Sequence, residues 1–429
     1  METILVLVFV IGYAAIALEH PLKINKTAPA LLIGALTWAL WVLFDFEHVD
    51  EIKEKLGHGL VETAEILFFL MGAMTIVELI DAHQGFKIIT NRIKTKDARK
   101  LVWIISFLTF ILSAILDNLT TSIVMVSLLR KLVHDREQRL YYIGMVVIAA
   151  NAGGAWSPIG DVTTTMLWIN GQISSSNIMI TLIIPSLVCM IIPLIAIGFK
   201  LKGEVKRDAY DYEKAEQEEK VKGSLIMLIA GVGALVFVPV FKTITHLPPY
   251  LGMLFGLSIV WIISELLHID KTEEEKKPYS AVHALSRIDV SSVLFFLGIL
   301  LAIGTLQGIG VLSGLAAWMD SAIGDVNLIS ISIGLLSAIV DNVPIVAATM
   351  KMYPLAEYPM DSKLWEFIAY AAGTGGSCLI IGSAAGVAVM GMEKMDFIWY
   401  LKKISWLALI GYIAGALTYI AVYPFFAVH

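Results

Sequence analysis

Apolar residues run along this chain in stretches of about 20, separated by short polar clusters. A helix rising about 1.5 Å per residue needs that length to cross a hydrocarbon core of about 30 Å. The pattern predicts ten crossing helices. Five lie at residues 2–18, 27–44, 62–82, 141–168 and 175–199, and five more at 223–241, 250–268, 289–312, 364–391 and 396–424. Two further apolar segments, 101–131 and 326–352, fit neither one crossing nor two. In the first, Leu101–Leu116 and Asn118–Leu129 form arms of 16 and 12 residues around Asp117, each short of a crossing. The expectation is a re-entrant helical hairpin in each segment with its polar tip near mid-membrane. Non-helical backbone is tolerated there only where protein or a wet cavity surrounds it.

The two halves of the pattern match. "LSAILDN" at 112–118 and "LSAIVDN" at 336–342 agree at six of seven positions. "LFFL" recurs at 67–70 and 294–297, and "AANAGGAWSPIG" at 149–160 aligns with "AAGTGGSCLIIG" at 371–382. The offsets are 227, 224 and 222, nearly constant. With five crossings in each half, an odd number, the halves are expected to be inverted relative to each other. The predicted fold is therefore an all-α polytopic membrane protein. It has two inverted-topology repeats, each of five transmembrane helices plus one re-entrant hairpin, with a broken helix in each repeat at about 141–168 and 364–391. The first repeat spans 1–199 and the second 223–429. Residues 200–222, rich in Lys and Glu, are expected to form a cytoplasmic linker.

Composition agrees: 58% of the 429 residues are hydrophobic and 16% charged, outside the range of a soluble domain. The first residues carry no basic n-region and are read as a retained span, not a leader. Cys189 and Cys378 fall inside apolar runs and read as packing residues. No phosphate-binding loop, zinc-protease or serine-hydrolase motif occurs. An ATP-driven pump, an enzyme, a resident cofactor and nucleic-acid binding are accordingly not expected.

Charge orients the spans. Basic residues cluster at Lys87, Arg92, Lys94, Lys96, Arg99 and Lys100, and again at Arg130, Lys131, Arg136 and Arg139. Both clusters lie on one face if a hairpin separates them, and that face is cytoplasmic by the positive-inside rule. All but Lys53, Lys55, Lys242, Lys351 and Lys363 of the 31 Lys and Arg then fall inside. Both termini are expected outside, in the inner or plasma membrane of a prokaryote-like cell.

Asp117 and Asp341 occupy the predicted tips, each followed by an Asn, Asn118 and Asn342. A carboxylate at that depth is costly, and twice repeated it points to function. Thr120 and Thr121 add hydroxyls to the first tip, whereas Pro344 follows the second, so the first is expected to be richer in ligands. The second polar stretch is "NAGGAWSPIGDVTTT", 151–165. Its glycines and proline break a helix, freeing carbonyls and a half-helix N-terminus for an ion. Asn151, Ser157 and Asp161 supply oxygens, with Thr163 and Thr164 behind them. Thr374, Ser377 and Ser383 are the counterparts, Ser383 aligning with Asp161. Glu78, at the end of span three, is a further candidate for the site's surroundings. No Lys or Arg is expected near the membrane centre. Oxygen ligands with carboxylates and no cationic partner suit a hard cation, Na⁺ or Li⁺, or a proton. The cation is expected at Asp117, Asn118, Asp341 and Asn342.

The stretches "LSAILDNLTTSIVM" and "NAGGAWSPIGDVTTTMLW", with "HPLKINKTAPALLIGAL" at 20–36, resemble the NhaD-type Na⁺/H⁺ antiporters. These belong to a wider ion-transporter superfamily that includes arsenite and dicarboxylate carriers. The resemblance covers nearly the whole chain. It implies exchange of Na⁺ or Li⁺ for H⁺ and a homodimer. It further implies a scaffold of outer spans, with hairpins and broken helices moving elevator-fashion. The dicarboxylate branch usually carries Ser-Asn-Thr at the tip where this chain has Asp117, which favours a cation cargo. The alternative is a sodium-coupled carrier of a dicarboxylate or other anion on the same fold. An intramembrane aspartyl protease is disfavoured: such enzymes typically show Tyr-Asp and Gly-x-Gly-Asp signatures, whereas Asp117 follows Leu116 and Asp161 follows Pro-Ile-Gly, and a protease needs no whole-chain repeat.

Overall fold

The computed structural model describes residues 1–93, 95–205 and 221–426, apart from the side chains of His20 and Pro21. Most of the predicted linker, 206–220, and Lys94 of the first basic cluster lie outside the described residues. The described chain is helical, with one isolated bridge, Asp97 to Glu204, and no strand.

The first half contains α1 (Glu2–Ala17), α2 (Thr27–Phe44), α3 (Val49–Ala82), α4 (Ala98–Leu116), α5 (Asn118–Leu132), α6 (Arg136–Ala155), α7 (Val162–Ile169) and α8 (Ser175–Lys200). The second contains α9 (Ser224–Thr245), α10 (Pro249–Leu267), α11 (Val290–Gly308), α12 (Val311–Ala322), α13 (Val326–Ser337), α14 (Asn342–Met352), α15 (Lys363–Gly375) and α16 (Ala384–Glu393). It closes with α17 (Trp406–Phe426), preceded by a short helix, Phe397–Tyr400, and a π-helical turn, Leu401–Ser405. Among the described residues, eight helices are long and apolar enough to cross a membrane, which makes the chain a multi-pass membrane protein.

One of those eight is α4, so the length argument against a crossing by the first arm does not hold. The helix begins at Ala98 rather than Leu101, because the Asp97 carboxylate caps it by accepting from the Lys100 N–H at 2.7 Å. Its 19 residues include Arg99 and Lys100. The partner arm α5 has 15 residues and carries Arg130 and Lys131 in its last turn. The α4 and α5 arms pack on each other and both pack on α6.

Helix breaks fall where the polar stretches lie. Asp117 separates α4 from α5, and Asp341 precedes α14. Residues 156–161 separate α6 from α7, and 376–383 separate α15 from α16. The breaks in the two halves are built alike. A Cβ on Gly154 would lie 2.4 Å from the Gly160 carbonyl, and one on Gly376 would lie 2.7 Å from the Gly382 carbonyl. Only glycine lets the backbone fold back on itself this tightly. Ser113 donates to the Ala150 carbonyl at 2.6 Å, and Ser337 donates to the Ala372 carbonyl at 3.2 Å. Each hydroxyl ties a tip-bearing helix to a broken one.

Packing sorts the helices. α2 lies along α11, α10 along α3, and α3 meets α11. α8 lies along α17, and both flank α15. α6, α7, α15 and α16 face the tip helices α5 and α14. Every residue from Leu140 to Ala155 in α6 is buried, so this helix lies inside protein rather than against lipid. Cys189 and Cys378 are buried free thiols.

Candidate functional site

Asp161 begins α7 and caps it. Its Oδ1 accepts from the Thr163 N–H at 2.8 Å and from the Thr163 hydroxyl at 2.9 Å. Its Oδ2 accepts from the Asn118 amide at 2.6 Å and from the Asn342 amide at 3.5 Å. One buried carboxylate thus takes four donors, and two of them come from the residues just after the two tip aspartates. All four donors are neutral N–H or O–H groups.

The network continues across the halves. The Asn118 amide also donates to Asn151 Oδ1 at 3.0 Å. The Asn151 amide donates to the hydroxyls of Ser377 and Ser383, both at 2.9 Å. Asn118, Asn151, Asp161, Asn342, Ser377 and Ser383 are all buried. Ser383, expected only in the surroundings, therefore touches the centre, and it caps α16 as Asp161 caps α7.

Other expected residues serve the frame. Ser157 donates to the Ala114 carbonyl at 2.6 Å, and Thr164 to the Asp161 carbonyl at 2.9 Å. Thr374 bonds back to the Tyr370 carbonyl of its own helix at 2.6 Å. The Thr121 hydroxyl is buried and has no hydrogen-bond partner among the described residues. Glu78 lies apart, paired with Arg287 at 2.9 Å.

Asp117 takes φ +90° and ψ 159°, a conformation costly for any residue with a Cβ. Its Oδ1 accepts from the Thr120 N–H and its Oδ2 from the Thr120 hydroxyl, both at 2.8 Å. Asp117, Asn118, Thr120 and Asp161 line one cavity of about 60 Å³, closed by Phe69, Phe296 and other apolar side chains. Asp341 lines a different cavity, of about 50 Å³, so the two tip carboxylates do not share one chamber.

The expectation of a centre without a basic partner is overturned at Asp341. Lys26 Nζ lies 2.9 Å from Asp341 Oδ2, with side-chain exposures of 20% and 12%. Sequence reading places Lys26 in the short loop before α2, at the membrane face. Tertiary packing brings the second tip to that loop across 315 positions. The only local signal was a lysine directly abutting an apolar span.

A family profile described as a citrate transporter matches residues 13–366. Sodium/proton antiporter 1 of Arabidopsis thaliana is 50% identical over 426 residues, which is 98% of this chain and 73% of that protein. Sodium/proton antiporter 2 of the same plant is 47% identical over 98% of this chain and 99% of its own length. The Na⁺/H⁺ antiporter NhaD of Alkalimonas amylolytica is 31% identical over 95% of this chain and 88% of that protein. The chain thus belongs to the citrate transporter family and, within it, to the NhaD-type sodium/proton antiporters that its central motifs resemble.

Proposed function

We propose that this protein is a secondary antiporter exchanging Na⁺ or Li⁺ for H⁺, the two competing for the intramembrane carboxylates. The observation that carries this reading is the Asp161 carboxylate, which the asparagines of both tips reach at once. A hard monovalent cation finds carboxylate, amide and hydroxyl oxygens here. A proton on the same carboxylate removes the charge that attracts the cation, so either ligand displaces the other. The cargo site comprises Asp117, Asn118, Thr120, Asn151, Asp161, Asn342, Ser377 and Ser383, with Thr121 and Thr163 beside it. Asp341 is linked to it through its neighbour Asn342.

Size supports a cation over an organic anion. A cavity of about 60 Å³ is far below the several hundred Å³ of typical organic-ligand pockets, and its carboxylates repel a di- or tricarboxylate.

The matched glycine contacts, the matched Ser113 and Ser337 bonds and the paired caps at Asp161 and Ser383 support two repeats, 1–199 and 223–429. The packing of α4 on α5, with basic residues at the far end of each arm, supports a re-entrant hairpin. The repeats are inverted by the parity of their spans. The basic loops are cytoplasmic and the termini outside. The protein works as a homodimer, and its hairpins and broken helices move against α2, α3, α10 and α11.

The test uses purified protein in liposomes with an internal pH dye, challenged in turn with NaCl, LiCl, KCl and citrate. Na⁺ or Li⁺ is expected to drive protons in the opposite direction. Citrate uptake without cation-driven proton flux rejects the reading.

A further inference from the structure

Lys26 lines two adjoining cavities, and a third adjoins the wider of them. One of about 210 Å³ is lined by Glu19, Lys26, Asp289 and Ser291 among others. It shares Leu119, Ser292 and Ala384 with the cavity that holds Asp117 and Asp161. It shares Glu19, Lys26 and Val387 with the cavity that holds Asp341. Lys26 therefore stands between the widest of these chambers and the second tip carboxylate.

Lys26 and Asp341 lie on different elements that meet at α11. The Lys26 ammonium lies 4.4 Å from the centre of the Phe295 ring of α11, and the neighbouring Thr27 hydroxyl donates to the Ser291 carbonyl of α11 at 2.9 Å. The Lys26 N–H donates to Glu19 at 3.2 Å. Asp341 caps α14, accepting from the Val343 N–H at 3.3 Å, and α14 packs on α11, α12, α7 and α15. The two tips also differ in what they hold. Asp117 Oδ2 takes a neutral hydroxyl from Thr120, whereas Asp341 Oδ2 takes an ammonium.

We propose that Lys26 is a tethered stand-in for the transported cation: its ammonium occupies Asp341 in this conformation, and Asp341 accepts Na⁺, Li⁺ or H⁺ only when that pair separates. The proposal rests on the antiport reading. An ammonium at 2.9 Å and a bare monovalent cation cannot hold the same carboxylate oxygen together, so their binding is mutually exclusive. Both partners retain some exposure to adjoining cavities, so a solvated cation can reach the carboxylate as the ammonium leaves. Separating the pair with no replacement strands a charge in a low-dielectric site, which is strongly unfavourable. The second tip is therefore loaded by exchange of one positive charge for another.

The test measures how Na⁺ concentration raises the melting temperature of full-length protein in detergent, with Na⁺/H⁺ exchange in liposomes as a second readout. Lys26→Gln is expected to lower the half-effective Na⁺ concentration by about tenfold, as when a competitor holding nine-tenths of the sites is removed. Lys26→Met carries the same expectation if the Gln variant does not fold. Lys26→Arg, which keeps the charge, should stay within about threefold of the parent. In an Asp341→Asn background, Lys26→Gln should change nothing further, because the two residues act as one pair. Unchanged Na⁺ dependence in both neutral variants, or an equal shift in the Asp341→Asn background, overturns the role of Lys26. A parent protein that neither exchanges nor responds to Na⁺ overturns the antiport reading itself, and the Lys26 role with it.

Discussion

The Asn118 amide donates to the Asp161 carboxylate at 2.6 Å across 43 positions of sequence. This bond joins the first tip to the break in the neighbouring helix. It also changes the ranking of the carboxylates. Sequence alone ranks Asp161 third, because its repeat mate is a serine. The geometry places it at the meeting point of both tips.

Asp161→Asn should therefore abolish exchange, not merely weaken cation affinity. An amide in this position presents one oxygen where the carboxylate presents two, and leaves at least one of the four donors facing an N–H group. A loss of at least about 100-fold in proton-coupled Na⁺ flux is expected, in line with about 1–3 kcal/mol for each buried polar group left unsatisfied. Flux normalised to inserted protein checks this, and a residual rate above one-tenth contradicts it.

Asp117→Gly should leave the protein folded, with a melting temperature no lower than the parent, yet without exchange. The substitution relieves a positive φ that costs on the order of 1–3 kcal/mol, and Gly in place of Asp as an N-cap costs only a few tenths. The carboxylate is lost all the same. A clear drop in melting temperature would show that Asp117 contributes mainly to the fold.

Glu393→Ala should destabilise the protein, by less than the roughly 3–5 kcal/mol of a fully buried pair, because Arg130 stays 46% exposed. The Glu393 side chain, 3% exposed, meets Arg130 at 2.5 Å and Arg139 at 3.1 Å. Arg136 donates to the Glu393 carbonyl at 3.3 Å. The group ties the end of α5 and the start of α6 to the end of α16. Thermal melts of parent and variant in the same detergent provide the measurement.

Stability should fall as pH drops from about 6.5 towards about 4. His83 follows α3 and His268 follows α10; both are buried, with their Nε2 atoms 3.1 Å apart. Burial pulls His83 below its ordinary value. Burial, and then the neighbouring His83, pulls His268 down to about 4. A depressed folded value means that the unfolded chain binds the proton more readily. The stabilising contribution is thus complete above about 6.5 and is lost as pH falls through the folded value. His268→Phe should flatten this part of the melting-temperature profile, and an unchanged slope would refute the assignment.

The membrane class, most helix sites and the four breaks were legible in the sequence; α12, too short for a span signal, and the polar first turns of α3 before residue 62 were not. Span-length apolar runs, adjacent glycines and paired acidic interruptions act through local physics. A chain in lipid must satisfy its backbone within its own helix, and Asp117, Asp161, Asp341 and Ser383 reveal themselves as caps wherever a helix restarts. Start points were less legible, as at Ala98, because an Asp97 cap can carry a helix into polar residues that hydropathy excludes. Tertiary structure alone decided which polar groups meet. Asn118, Asn342 and Asp161 converge, Ser383 reaches Asn151, and Lys26 finds Asp341 across 315 positions. Spacing along a helix encodes which face a side chain occupies but not which distant helix lies opposite. That follows from packing of the whole bundle, and so did the positive partner of the second tip.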